Sequence, residues 1–189
     1  MTTTATETTF GIGAIEGDVY ANKFFGIEFA LPEGFSFYSA NQLADMNAAT
    51  ASANNDQAVV EAHEGGSAFF DMGATSENDP NGSIVMHITG PDAAAPDEAG
   101  YFAAAKDKII NQLKDVGVTV KSSETGTYTN RKTGDEFTAM KLAIESQGAS
   151  MYEEVICIKA DDYYMTATAT ATDEDGLDSV LSHLIRIFG

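Results

Sequence analysis

The sequence predicts an α+β fold: an antiparallel β-sheet with α-helices packed on both faces. Strand-like runs outnumber helical ones and come in blocks, which separates this class from alternating α/β chains. Toward the C-terminus, runs near 118–129, 136–146, 150–159 and 163–171 are joined only by "NRKTGDE", "SQGA" and "KADD". Connections that short join antiparallel neighbours, so these runs form a meander. Two stretches with helical apolar spacing, one beginning near Asp97 and one at the C-terminus, supply faces that can cover a sheet.

Order is expected to begin near Phe10, after a polar tether over residues 1–9, "MTTTATETT". Residues 10–189 then form one domain, the simplest organisation for this length. In "VYANKFFGIEFALP", Asn22 centres a turn, and Phe25, Ile27, Phe29 and Leu31 alternate on one face. Pro32 to Gly34 makes the next turn and "FSFY" opens a second extended piece. Ser39 with Gln42 three residues on is a capping box, and Leu43 and Met46 follow at helical spacing. Residues 49–66 are ambiguous, since "QAVVEA" fits a helical turn or a short strand. "SAFFDMGAT" and "SIVMHITG" make a hairpin around the turn cluster "SENDPNG".

A Pro- and Ala-rich loop over 91–96 leads to the clearest helix. Asp97 and Glu98 sit in its first turn and Lys114 in its last, as the helix dipole favours. Phe102, Ala105, Ile109, Leu113 and Val116 form its stripe, and Gly117 stops it. In "YYMTATATAT", Met165, Ala167, Ala169 and Ala171 share one strand face and Thr166, Thr168 and Thr170 the other. Thr172 and Asp175 form a second capping box. A terminal helix with Leu177, Val180, Leu181, Leu184, Ile185 and Phe188 along one side is expected after it.

Charge narrows the function classes. The chain carries a formal charge of −19 at pH 7. No Lys or Arg lies between Lys23 and Lys106, where twelve Asp and Glu residues fall. Such a surface repels nucleic acid phosphates and anionic lipid head groups, so nucleic acid is excluded as a partner. No apolar run approaches the ~20 residues that span a bilayer, so direct membrane insertion of the domain is not expected. The start lacks the basic and apolar regions of a signal peptide. Cys157, the single cysteine, lies in the apolar run "EVICIKA" and reads as a buried structural thiol.

Five of the eleven phenylalanines, Phe24, Phe25, Phe29, Phe35 and Phe37, fall within "FFGIEFALPEGFSF". They flank a turn on alternating strands, which favours core. A ligand pocket lined by the same rings is the alternative. The histidines do not pair: His63 sits between Glu61 and Glu64 at no zinc spacing, His87 lies opposite Val85 on a strand, and His183 is off the last helix's stripe. "TDEDGLDS" fails the calcium-loop spacing, and "SENDPNGS" is needed for its turn. No G-x-S-x-G or phosphate-loop pattern occurs. Arg131 and Lys132 make the sole adjacent basic pair, at a hairpin tip. No cofactor, metal or catalytic constellation is read, and an enzyme ranks last.

"YANKFFGIEFALPEGFSFYSANQL" resembles the opening of the PsbP-like domains, whose fold is shared with the Mog-type Ran-binding proteins. Those begin with an Asn-aromatic strand running into aliphatic-Pro-x-Gly-aromatic, here Leu31, Pro32, Gly34 and Phe35. Phe35 stands where tryptophan is frequent. The resemblance covers nearly everything after residue 10 and rests on fold-forming positions. It implies the Mog/PsbP arrangement and a small bacterial surface protein, often a lipoprotein, whose leader would be missing here; a cytoplasmic origin is the alternative. A non-enzymatic binding or adaptor module, monomeric or weakly dimeric, is expected, acting on a protein partner or small ligand. The alternative is a protein that binds a small molecule or divalent cation through the Phe cluster or the acidic surface.

Overall fold

The computed structural model describes residues 10–48, 69–90 and 95–187. Eleven strands form two antiparallel sheets, with three helices, among these residues. The smaller sheet contains β1 (Ala14–Glu16), β2 (Val19–Asn22), β3 (Ile27–Ala30) and β11 (Leu184–Arg186), in that order. The larger has seven strands: β4 (Phe35–Phe37), β5 (Phe69–Ser76), β6 (Ser83–Thr89), β10 (Tyr163–Ala171), β9 (Ala149–Ala160), β8 (Glu136–Ser146) and β7 (Thr119–Thr129). The helices are α1 (Ala40–Ala48), α2 (Glu98–Asp115) and α3 (Glu174–Leu181). The fold is thus mixed α and β with strands predominant. The C-terminal meander forms in the expected order.

The sequence reading anticipated one sheet, and the chain builds two. The difference lies in the last residues. Leu184 and Ile185, expected on a terminal helix, instead form β11, with Leu184 opposite Phe29 and Ile185 opposite Glu28. α3 ends at Leu181 because Ser182 and His183 form a turn. The unpaired edge of β3 then takes the chain as a strand. The predicted cap also shifts by one residue: Asp173 accepts from the Gly176 amide at 2.7 Å. Thr172 is used elsewhere, its hydroxyl donating to Asp79 at 3.2 Å. Phe188, the "QAVVEA" stretch and His63 lie outside the described residues.

Alternation along the strands divides the interior into two clusters. One contains Tyr20, Ile27 and Phe29 from the smaller sheet, Phe25 from its β2–β3 turn, Ile84, Met86, Ile88, Met165, Ala167 and Ala169 from the larger sheet, and Leu177, Val180 and Leu181 from α3. Alanines on β10 let α3 approach closely, and a Cβ on Gly176 would meet Ala171 Cβ at 2.9 Å. The other cluster gathers Phe102 of α2 with Met140, Leu142, Ile144, Val155, Cys157 and Tyr164. α2 begins as read from the sequence: Asp97 accepts from the Gly100 amide at 2.7 Å. It ends at Asp115, and Gly117, just past the Val116 cap, has a φ of 84° that suits glycine. Val116, placed on the apolar stripe by periodicity, is instead 76% exposed, because the helix has already ended there.

Candidate functional site

The five phenylalanines first singled out lie in and against the first cluster. Phe25 and Phe29 are buried in it, and Phe24, Phe35 and Phe37 pack against it. Phe24 meets Phe25 edge-on at 5.0 Å between ring centroids.

A concave site lies elsewhere, between α2 and the larger sheet. It encloses about 680 Å³. Its described lining includes none of those five phenylalanines. The floor comes from strand residues whose partners on alternate positions fill the first cluster: Val85, His87 and Thr89 of β6, Thr166 and Thr168 of β10, and Glu153 and Val155 of β9. The pairing Val85–Thr168–Val155 and His87–Thr166–Cys157 fixes which of them are neighbours. α2 provides the wall through Tyr101, Ala104, Ala105, Lys108, Ile109 and Gln112, and Phe70 of β5 closes one side. The alanines keep the helix from filling the space.

The rings are held in place. Tyr101 stacks on Tyr164 at 5.0 Å, and the Tyr164 hydroxyl donates to the Ala95 carbonyl at 2.5 Å. Phe70 and His87 have centroids 5.1 Å apart. The β6 histidine is therefore a lining residue and a ring partner, and it shares the face of Val85 rather than lying opposite it, because residues two apart on a strand point to the same side. Thr166 Oγ1 reaches the His87 carbonyl at 3.5 Å, the limit of a hydrogen bond.

Glu153 is the chemically distinctive group. Burial alone pushes its carboxyl up to about 7 from the usual 4.5. Among the described residues nothing donates a hydrogen bond to it or pairs with it. Glu154, next along β9, belongs to the opposite side. Burial raises its carboxyl too, but Lys141 opposes the shift. Sequence reading missed Glu153 because "EEVICIK" looks like a strand with acids at its solvent end. The available signal was parity: Glu153 shares a face with Val155 and Cys157, both of which the apolar run marks as interior.

The other candidates resolve structurally. Arg131 pairs with Asp178 of α3. Asp79 of "SENDPNG" accepts from the Asn81 amide at 2.9 Å besides Thr172, so its oxygens serve the turn. His183 lies in the turn before β11, where its carbonyl accepts from the Ala30 amide at 3.2 Å. Burial, then the Lys132 charge, lowers its imidazole below the ordinary range. No set of three or more metal-ligating side chains converges among the described residues. No helix among them is long and apolar enough to cross a membrane. No model of a known protein family and no curated protein matches the chain.

Proposed function

We propose that this protein is a non-enzymatic binding protein whose cleft between α2 and the larger sheet takes a small, largely apolar molecule. The volume of the cleft carries this reading: about 680 Å³ lies well within the ~300–1,000 Å³ of ordinary ligand sites. Its lining has the composition of such sites, with aromatic and aliphatic walls and a few polar groups. A ligand there would be recognised by shape and apolar contact. The Thr166 and Thr168 hydroxyls and Glu153 would set its orientation.

The Mog/PsbP arrangement, with helices on both faces of the sheet, is part of the same proposal. Its support is the parity of β9, on which Val155 joins the α2 cluster and Ile156 the α3 cluster. The bacterial cell-surface placement rests on the sequence resemblance.

Nile red, a neutral dye that brightens in apolar surroundings, tests the cleft. Binding to the wild type and its loss in Ala104→Trp are expected, since Ala104 is an exposed helix position on the cleft wall. Absent binding, or binding unchanged by the tryptophan, would overturn the reading.

A second reading, an adaptor for a protein partner, is favoured by β7. This strand ends the larger sheet, runs for eleven residues and is mostly exposed. An extended partner segment could add to it. Capture of a partner from a cell-envelope extract, lost in a Thr125→Lys/Thr127→Lys variant, would support that role. Capture unaffected by the lysines would remove it.

A further inference from the structure

We propose that the cleft is a receptor for a small organic amine, whose ammonium group pairs with the Glu153 carboxylate while its apolar body lies against Val85, Val155, Tyr101 and Ile109. The inference rests on the ligand-binding reading above and names the chemistry of the ligand.

A carboxylate half-withdrawn from water must be paired or neutral, because desolvation penalises its charge. Glu153 has no partner among the described residues, and no neighbouring cation offsets its burial. The cleft therefore holds an acceptor with no donor among the described residues, and a ligand cation supplies what is missing. The aromatic wall suits the same charge. Tyr101 and Phe70 present rings to the cleft, and a cation near a ring face is attracted by its quadrupole. The net charge of −19 acts at longer range, concentrating cations and repelling anions.

Among the described residues, charged and titratable groups around Glu153 are few. Across the cleft from the strands, α2 brings Lys108 and Tyr101, and within the floor itself β6 brings His87. On either side of Glu153 along the sheet stand Leu142 of β8 and Thr170 of β10, neither of which titrates. Lys108 is exposed, so its ammonium is solvated at the rim, where it disfavours a second positive charge. A monoamine is favoured over a polyamine on that ground. Pairing requires ionised Glu153, and alkyl amines stay protonated to about pH 10, as lysine does. Binding therefore strengthens as pH rises through about 7.

The test uses three probes of one shape: phenethylamine, phenethyl alcohol and phenylacetate. Each is titrated against the Nile red complex of the full chain at pH 6 and pH 8. Phenethylamine is expected to displace the dye at a concentration at least about tenfold lower than the other two at pH 8, a difference of about 1.4 kcal/mol. The advantage should shrink at pH 6 and vanish in Glu153→Gln, a near-isosteric change that leaves the cleft its shape. Phenethyl alcohol should compete equally in wild type and variant. Equal competition by the three probes, or an amine advantage that survives Glu153→Gln, would overturn the amine while leaving the cleft as a binding site. Failure of Nile red itself to bind would instead remove the underlying reading, and the amine with it.

Discussion

The Tyr20 hydroxyl donates to Asp71 Oδ2 at 2.5 Å, joining the smaller sheet to β5 of the larger. Asp71 also accepts from the Gly13 amide at 2.9 Å and from Asn22 Nδ2 at 3.0 Å. It lies where the β5–β6 register shifts between Phe70 and Met72. The bulge is what aims a β5 carboxylate at β2 and the segment before β1. Burial, then the Asp71 charge, pushes the Tyr20 hydroxyl well above its ordinary range.

Tyr20→Phe removes the donor and keeps the ring. Hydrogen bonds to charged groups contribute ~1.5–3 kcal/mol, so unfolding in urea should show a loss of about 2 kcal/mol. An unchanged midpoint would mean that the remaining donors, Gly13 and Asn22 among them, satisfy Asp71 without it.

Asn130 is fully buried and uses both ends of its amide. Nδ2 donates to the carbonyls of Leu184 at 2.7 Å and Ser182 at 3.2 Å. Oδ1 accepts from the Lys132 and Thr133 amides at 2.8 and 3.2 Å. The side chain thus shapes the β7–β8 turn and holds the start of β11. Asn130→Ala orphans these groups and should cost about 3 kcal/mol, at ~1–3 kcal/mol for each buried group left unmade. Loss of amide-exchange protection at Leu184–Arg186 would locate the damage.

Glu153 gives the stability a pH dependence whose sign follows from its raised carboxyl. Between about 4.5 and about 7 the unfolded chain has released this proton while the folded chain keeps it. Stability therefore falls as pH rises through that window and stays lower above it. The contribution is at most about 3 kcal/mol. Glu153→Gln removes it. The variant should match the wild type near pH 4 and exceed it at pH 8 by about 1–3 kcal/mol, measured by thermal unfolding. A variant less stable at pH 8 would show Glu153 to be paired in solution.

Cys157 is fully buried. Burial first, and the Glu98 charge second, pushes its thiol up. Iodoacetamide should leave the folded protein unmodified at pH 8 and label it quickly in urea. Rapid labelling without denaturant would mean that α2 lifts from the sheet.

Much of the fold was legible because its signals are local. The capping box survives intact: the Gln42 amide donates to Ser39 Oγ at 3.3 Å, and the Ser39 amide to Gln42 Oε1 at 2.8 Å. The period-two pattern of β10 placed its alanines and threonines on the sides where they lie. β1 escaped notice because all three of its residues are exposed, so no alternation marks it. β11 was misread because Leu184 and Ile185 continue a helical spacing that a turn at Ser182 interrupts. The cleft was out of reach for a related reason. It exists where α2, though periodic, carries alanines opposite a strip of threonine, valine and histidine. Which strands that strip belongs to depends on the order β6-β10-β9, a non-local fact.

The pairing of β11 with β3 also sets an order of events during synthesis. β3 emerges from the ribosome well before β11, yet one of its edges is completed only by Leu184–Arg186. Until β11 appears, β3 has an open edge and the Phe29 side lacks Leu184. The nascent smaller sheet must wait for α2 and the whole meander to be made, which makes that stretch of synthesis the interval in which a chaperone has most to protect.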